Sequence, residues 1–394
     1  MKITVPTIDF GTSKIVTMVA QSNGERCDIV GSGAVPYSGY LQDGWNNPDE
    51  IRDVIRTAID QAQKTGNCRI HELNVGVPGM FTRVIVKEVH VSLTGPDPHV
   101  TAQDVRACFK LAEESGGDRI IHSAPAWFRV DDGKKTLSPV GIKGRELSAM
   151  IALVTADKYF IDDITYRLRD MDIEPREFYS TVAGEATYAL SQDERDKTAM
   201  LIDIGYLCTD VMVMEGDALI FHKCLDIGGG HISADIAEQL NIPFPFVEEK
   251  IKQTYSFNST NQDETYVIPA TEDEPARTVR RDEVTPIIEA KVEEIAEAIN
   301  KALEEGGVKL GKWSNVYLPG GGLILNKGGK DFLAGKLHRI IREAQRTNNK
   351  MTSHVFSSAV GLTILVVTTQ EEQKAPEGGA KGLFSRAFRW LMGY

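Results

Sequence analysis

Cysteine is scarce in this chain of 394 residues, with only 5 present. Cys27, Cys68, Cys108, Cys208 and Cys224 are scattered without a CxxC pair, so they read as reduced structural thiols and exclude a disulfide framework. The 8 histidines show no HExxH or comparable ligand spacing, which gives no protein-ligated transition metal. Long apolar runs are missing as well. Met1 to Pro6 reaches the polar Asp9 before a signal sequence could form, and no later segment suits a bilayer span, so any membrane contact is expected to be peripheral. Basic residues are outnumbered, 44 Lys and Arg against 56 Asp and Glu, for a net charge of −12. That balance excludes a nucleic-acid surface spread over the body, because phosphate contacts need clustered cations.

What is present suits a globular protein of two or more packed units, since single cores usually stop growing near ~250 residues. Residues 3–19 alternate about a glycine turn, the pattern of a β-hairpin. A second unit of this kind recurs half a chain later, as the apolar strand 200–205 with a return strand at 210–214. The repetition suggests a duplicated α/β core. Between the hairpins, 48–64 has helical periodicity and 73–78 reads as a buried strand. Strands at 84–93, 119–130 and 145–154, with a helix opening at Thr101 and Asp104, suggest a small α+β insert over 82–157. Helices are expected at 232–240, 246–253 and 284–303. A surface loop with an edge strand is expected over 257–279, a strand at 315–318, a helix holding Phe332, Leu337, Ile340 and Ile341, and a buried helix at 357–367. The stretch 368–381 is polar and Pro/Gly-containing, as a linker would be.

Three glycine turns at strand ends carry the candidate chemistry. In Asp9-Phe10-Gly11-Thr12-Ser13-Lys14, glycine lets backbone N–H groups approach an anion, hydroxyls add donors, and Asp9 suits hydrated Mg²⁺. Asp203-Ile204-Gly205 supplies a second loop of the sort that a clamp around phosphates requires. Leu318-Pro319-Gly320-Gly321-Gly322-Leu323 is a third, where backbone can approach an adenosine. Glu185 is the carboxylate nominated to orient a hydrolytic water, against the blander reading of a surface charge on a helix.

The order DFGTSK (9–14), AGEATYAL (183–190), LIDIG (201–205), DIAEQL (235–240), EEKIK (248–252), LPGGG (318–322) and SAVGL (358–362) resembles the actin and sugar-kinase superfamily. Within it, HSAPAWFRVD (122–131), SPVGIKG (138–144) and ALVTA (152–156) resemble the FtsA family of bacterial cell-division proteins. The resemblance implies an actin-like duplicated RNase H-type α/β fold, with two halves around a nucleotide cleft and an FtsA-type 1C insert. It places subdomain 1A at 1–81 and 158–197 with 356–369 packing back, 1C at 82–157, 2A at 198–232 and 304–355, 2B at 233–303, a linker at 370–380 and a terminal helix at 381–394. By the same likeness, Asp9, Gly11, Thr12, Ser13 and Lys14 surround the phosphates of ATP or ADP and its Mg²⁺, with Asp203 and Gly205 opposite. Asp9 and Asp203 hold the metal through water. Glu249 and Lys252 lie by the ribose and adenine, and Gly320, Gly321 and Gly322 beneath the adenosine. One departure stands out: the family reads DIGGGT where this chain has Asp203-Ile204-Gly205-Tyr206-Leu207-Cys208. Side chains at Tyr206 and Leu207 hinder backbone approach to a γ-phosphate, so slow or negligible ATPase activity is expected.

On a helical wheel of residues 381–394, Leu383, Phe384, Phe388, Trp390 and Leu391 share one broad side and Arg386 and Arg389 the other. Such a segment is expected to lie flat on anionic phospholipid. The family likeness implies peripheral attachment to the cytoplasmic side of the bacterial membrane at the septum. It also implies self-polymerisation, recruitment of FtsZ, and contact of other division proteins with the 1C insert. Two alternatives remain open: a PilM-like pilus-assembly protein, and a small-molecule kinase of the same superfamily.

Overall fold

The computed structural model describes residues 3–24, 26–42, 44–114, 119–261, 263–270, 275–311, 314–319, 321, 323–344 and 354–373. The expected linker beyond Gln373, the whole 381–394 segment with Leu383, Phe384, Arg386, Phe388, Arg389, Trp390 and Leu391, and Gly320 and Gly322 lie outside these residues. Among the described residues, no helix is long and apolar enough to cross a membrane.

The duplication foreseen from the two hairpins is visible in the sheets. In the first half, Ile3–Phe10, Lys14–Ser22 and Cys27–Pro36 form an antiparallel meander, and Glu72–Val77 and then Glu174–Ser180 add in parallel beside the first strand. The second half repeats the order: Ala199–Ile204, Thr209–Glu215 and Ala218–Leu225 form the meander, with Asn315–Leu318 and Ile341–Glu343 added in parallel. A central strand flanked in this way is buried on both faces and needs apolar residues throughout, as Met200, Leu201 and Ile202 supply.

Each half has its own core. Helix Ile51–Gly66 buries Ile51, Ile55, Ala58, Ile59 and Ala62 and stops at Asn67, whose left-handed φ of 46° sends its N–H to the Gln63 carbonyl. Helix Arg281–Glu305 buries Val284, Ile288, Val292, Ile295 and Ile299 against the second sheet. The insert is a three-stranded sheet, Thr82–Ser92 and Ile120–Val130 flanking Glu146–Ala156, under helix Ala102–Glu114. That helix opens with an Asp-containing capping box: Thr101 N donates to Asp104 Oδ2 at 2.8 Å, and Asp104 N to Thr101 Oγ1 at 3.3 Å. The insert also rests on the second half, where Ala124, Ala126 and Trp127 pack with Ala218. Asp217 N donates to the Pro125 carbonyl at 3.1 Å.

Several local expectations need correction. The helix meant to hold Phe332 through Ile341 ends at Leu337, because His338 turns left-handed at φ 52°, and Ile341–Glu343 is the outer strand of the second sheet. The 257–279 region forms a hairpin, Thr265–Ile268 with Arg277–Arg280, in place of a lone edge strand. The terminal helix runs Ser357–Gln373, so the linker cannot begin at 368 or 370. Polar residues continue that helix because they are paired: buried Gln370 donates to Asn74 Oδ1 at 3.3 Å, and Ser22 Oγ donates to Glu371.

Helix Ser357–Gln373 crosses helix Thr181–Ala189 at bare backbone. A Cβ on Gly361 would fall 2.6 Å from the Glu185 Cα, and one on Gly184 would fall 2.9 Å from the Gly361 carbonyl carbon. Gly361→Val should therefore destabilise the chain by about 3 kcal/mol in urea titration. Gly335→Ala, at an exposed position of helix Gly329–Leu337 where a Cβ would meet nothing within 4 Å, should stabilise it by roughly 0.5–1 kcal/mol.

Candidate functional site

The two hairpin turns meet where the halves face each other. Gly11 N donates to the Lys14 carbonyl at 3.0 Å, and Gly205 N to the Cys208 carbonyl at 2.9 Å, so each turn closes on itself in the same way. Leu207 N then donates to Thr12 Oγ1 across the gap at 3.0 Å. Tyr37 Oη holds the Gly11 carbonyl at 2.6 Å, and Tyr40 Oη holds the Phe10 carbonyl at 3.0 Å. A further glycine run, Gly228-Gly229-Gly230, escaped the sequence reading although it too follows a strand and opens a helix. Gly229 N donates to the Gly205 carbonyl at 2.8 Å and Gly230 N to the Tyr206 carbonyl at 2.7 Å. A Cβ on Gly228 would lie 2.7 Å from both carbonyl oxygens, so only glycine fits this contact.

Carboxylates from both halves converge behind these turns. Burial pushes the Asp9 carboxyl up to about 6, against the stabilising pull of Ser358, whose Oγ donates to Oδ1 at 3.2 Å, and of Lys14. Burial, and then the Asp210 charge, push Asp203 up to about 7. Asp203 and Asp210 stand directly opposite in the strand pairing, a like-charge arrangement that costs stability. His222 Nε2, 2.7 Å from Asp210 Oδ1, offsets part of it. Burial also lowers the Lys14 ammonium from its ordinary value, although Asp9 and Asp203 pull the other way.

Glu185 is not a surface charge. It is 2% exposed, and burial first and Asp203 second hold its carboxyl well above the usual range. It hydrogen-bonds Ser357 and Asp203, and its Oε1 has no partner. The side chain faces inward because the glycine crossing at 184 and 361 brings the two helices together. An orphaned carboxyl oxygen beside two acids with raised pKa is the setting that a hydrated divalent cation satisfies, so the donor set fits Mg²⁺.

The third group of expected residues divides. Lys252 approaches the second turn, with its Nζ 5.4 Å from the Tyr206 ring centroid. Its ion-pair partner at 2.8 Å is Glu248, whereas Glu249 is exposed. The cause is a π-helical turn at Val247–Ile251, which inserts one residue and rotates the face that looks inward. Ser233 Oγ donates to Glu248 as well. Asn326 Nδ2 donates to the Lys252 carbonyl at 2.6 Å, tying the chain after Gly321 to the end of this helix. Gly321 itself lies against Val355, where a Cβ would meet Cγ1 at 2.8 Å.

With this geometry in place, the likeness to known proteins can be stated. A family described as "Cell division protein FtsA" matches residues 200–361, and one described as "SHS2 domain inserted in FTSA" matches 79–155. The cell division protein FtsA of Pseudomonas aeruginosa is 24% identical over 98% of this chain and 97% of its own length. That of Bacillus subtilis is 26% identical over 80% of this chain and 71% of its own. Among solved structures, the PilM-PilN type IV pilus biogenesis complex aligns with a TM-score of 0.61 at 17% identity, over 93% of this chain and 99% of that one. MreB 5 of Spiroplasma citri bound to AMPPNP aligns with 0.55 at 11%, over 94% and 98%. These structural likenesses establish the fold, which is actin-like.

The raised acids set a sign for pH dependence. Their stabilising contribution is complete below the unfolded value of 3.8 and is lost as pH rises through about 6 for Asp9 and about 7 for Asp203. The melting temperature should therefore fall from pH 5 to pH 8, and Asp203→Asn should flatten that slope while raising stability at pH 8. An equally steep slope in the variant would show that Asp203 is not charged against its surroundings.

Proposed function

Because this chain belongs to the FtsA family of actin-like cell-division proteins, we propose that it binds ATP or ADP with Mg²⁺ between its halves, polymerises on the inner face of the bacterial membrane and tethers the FtsZ ring there. The observation that carries the nucleotide reading is the meeting of two glycine turns over three buried carboxyls, Asp9, Asp203 and Glu185, whose charged forms burial disfavours. Asp9 and Asp203 would hold magnesium, and Gly11, Thr12, Ser13 and Lys14 would face Gly205 across the phosphates. Lys252, with Glu248 in place of Glu249, would lie by the ribose and adenine, with Gly321 beneath. Mg²⁺ supplies neutralisation of phosphate charge. An AMPPNP-bound relative of the same fold supports this reading.

Slow turnover follows from the same geometry. The Leu207 amide, which an anion would need, already serves Thr12. Burial and the neighbouring Asp203 disfavour the charged form of the Glu185 carboxyl, which weakens it as a general base. Measured with saturating ATP and Mg²⁺, kcat should fall well below the ~10 s⁻¹ common among enzymes. A value near that figure would sink the proposal of binding without efficient hydrolysis.

The assembly and membrane reading rests on family membership and on the cationic, aromatic end at 381–394. One short helix grips lipid weakly, and a polymer presents many together, so self-association turns transient contact into attachment. The region 233–303 faces FtsZ and the 82–157 insert meets neighbouring subunits or later division proteins. The fold likeness to PilM keeps a pilus-assembly role as the second reading. A small-molecule kinase of the same superfamily would phosphorylate a member of a panel of sugars and acetate, which a scaffold would not. The membrane test is co-sedimentation with anionic liposomes of the full chain and of a version ending at Gln373, each with and without FtsZ. Truncation belongs after Gln373 because Gln370 and Glu371 are bonded into the fold. The full chain should pellet and carry FtsZ with it, and the shortened one should stay in solution. Equal sedimentation of both would remove the tail from the account.

A further inference from the structure

Cys208, Asp210 and Cys224 each bring a ligand atom to within 4.8 Å of the other two. Their spacing in sequence hides this closeness. Asp210 and Cys224 are direct cross-strand partners in the pairing of Thr209–Glu215 with Ala218–Leu225, and Cys208 precedes Asp210 by two residues, which puts it on the same face. Cys208 is buried and the other two are half-buried. All three are near enough to the buried Tyr40 of the first half to act on its hydroxyl. Gly79, also of the first half, covers the cluster closely: a Cβ there would stand 2.0 Å from Asp210 Oδ1 and 2.9 Å from His222 Nε2.

Two thiols in contact suggest either a disulfide or a shared metal, and the strand geometry decides between them. Diagonal neighbours on antiparallel strands have Cα atoms ~7–8 Å apart. A disulfide needs about 4.4–6.8 Å, so closing one here requires the strands to shift. A tetrahedral ion with ~2.3 Å bonds to sulfur spaces its ligand atoms about 3.8 Å apart, which lies within the present spread of the three atoms. The donor set points the same way, since thiolates select zinc-class ions and reject Mg²⁺ and Ca²⁺, which take oxygen. His222, 2.7 Å from Asp210 Oδ1, supplies the outer hydrogen bond that orients a ligating carboxylate.

We propose that Cys208, Cys224 and Asp210 form a binding site for a thiophilic divalent cation of the zinc class, with a fourth position open to water. On binding, both Sγ atoms bond the metal and both thiol protons pass to solvent. The site adjoins Asp203, which stands opposite Asp210 in the strand pairing, but takes a different ion, because sulfur disfavours Mg²⁺.

The test uses the full, reduced, metal-free chain and Co²⁺ as a spectroscopic probe. The expected result is one equivalent of bound cobalt with a thiolate-to-metal charge-transfer band, displaced by Zn²⁺ and unaffected by excess Mg²⁺. Cys208→Ser and Cys224→Ser should each weaken zinc binding by about 100-fold or more, and His222→Gln by about ten-fold with the band retained. Cys68→Ser should change nothing. Absence of the band in the unmodified chain would overturn the proposal without reference to any variant's folding. Zinc uptake unchanged in both serine variants, or a Cys208–Cys224 disulfide forming in place of metal uptake, would overturn it equally.

Discussion

The 3.0 Å bond from the Leu207 amide to Thr12 Oγ1 fixes how closely the halves of this molecule approach, and most of the site follows from that approach. Gly11 and Gly205 stand where each turn folds back on itself: a Cβ would press on the Lys14 carbonyl at 3.2 Å in the first and on the Cys208 carbonyl at 3.0 Å in the second. The second turn is then backed by Gly228, which lies close against it, and by Gly229 and Gly230, whose amides take up the carbonyls at Gly205 and Tyr206. The acids come with the strands: Asp9 and Asp203 occupy equivalent places in duplicated hairpins, so bringing the turns together necessarily brings the charges together. The fold contains no route to one without the other.

That convergence works against stability. Like charges set opposite each other on paired strands, and carboxyls pushed up to about 6 and about 7, are features a purely structural core would replace with apolar residues. Lys14 cannot neutralise three acids, and burial weakens its own charge. The arrangement makes sense where an exogenous cation supplies the missing charge. A group of this kind concentrates at functional sites because only a ligand restores the balance.

Much of the fold was legible because it rests on local pattern. The hairpins, the apolar face of the helix at 284–303 and the capping box at Thr101 are each written within a few consecutive residues. Features that depend on what lies across a gap were not. Glu185 reads as a surface charge until the glycines at 184 and 361 are seen to bring a second helix over it. Glu249 looks equivalent to Glu248 until one π-turn residue rotates the helix face. Ile341 continues a helical period on paper, but His338 ends the helix and the residues beyond it add to a sheet edge. Cys208 and Cys224 are 16 positions apart in a hairpin whose register, not its sequence, makes them neighbours.

The C-terminal helix shows how the site is connected to the body. Ser357 and Ser358, at its first turn, bond Glu185 and Asp9. Further along, Thr363 Oγ1 pairs with Thr7 Oγ1 at 2.8 Å, and Gln370 with Asn74. Val360, Leu362, Leu365, Val366 and Val367 are buried on several sides, so the helix is enclosed over its described side chains, 357–371. Closely packed interiors shift as units and do not deform continuously. The first turn of the helix is therefore tied to the acids at Asp9 and Glu185, and its later turns to the first sheet, so site and sheet are packed against one element.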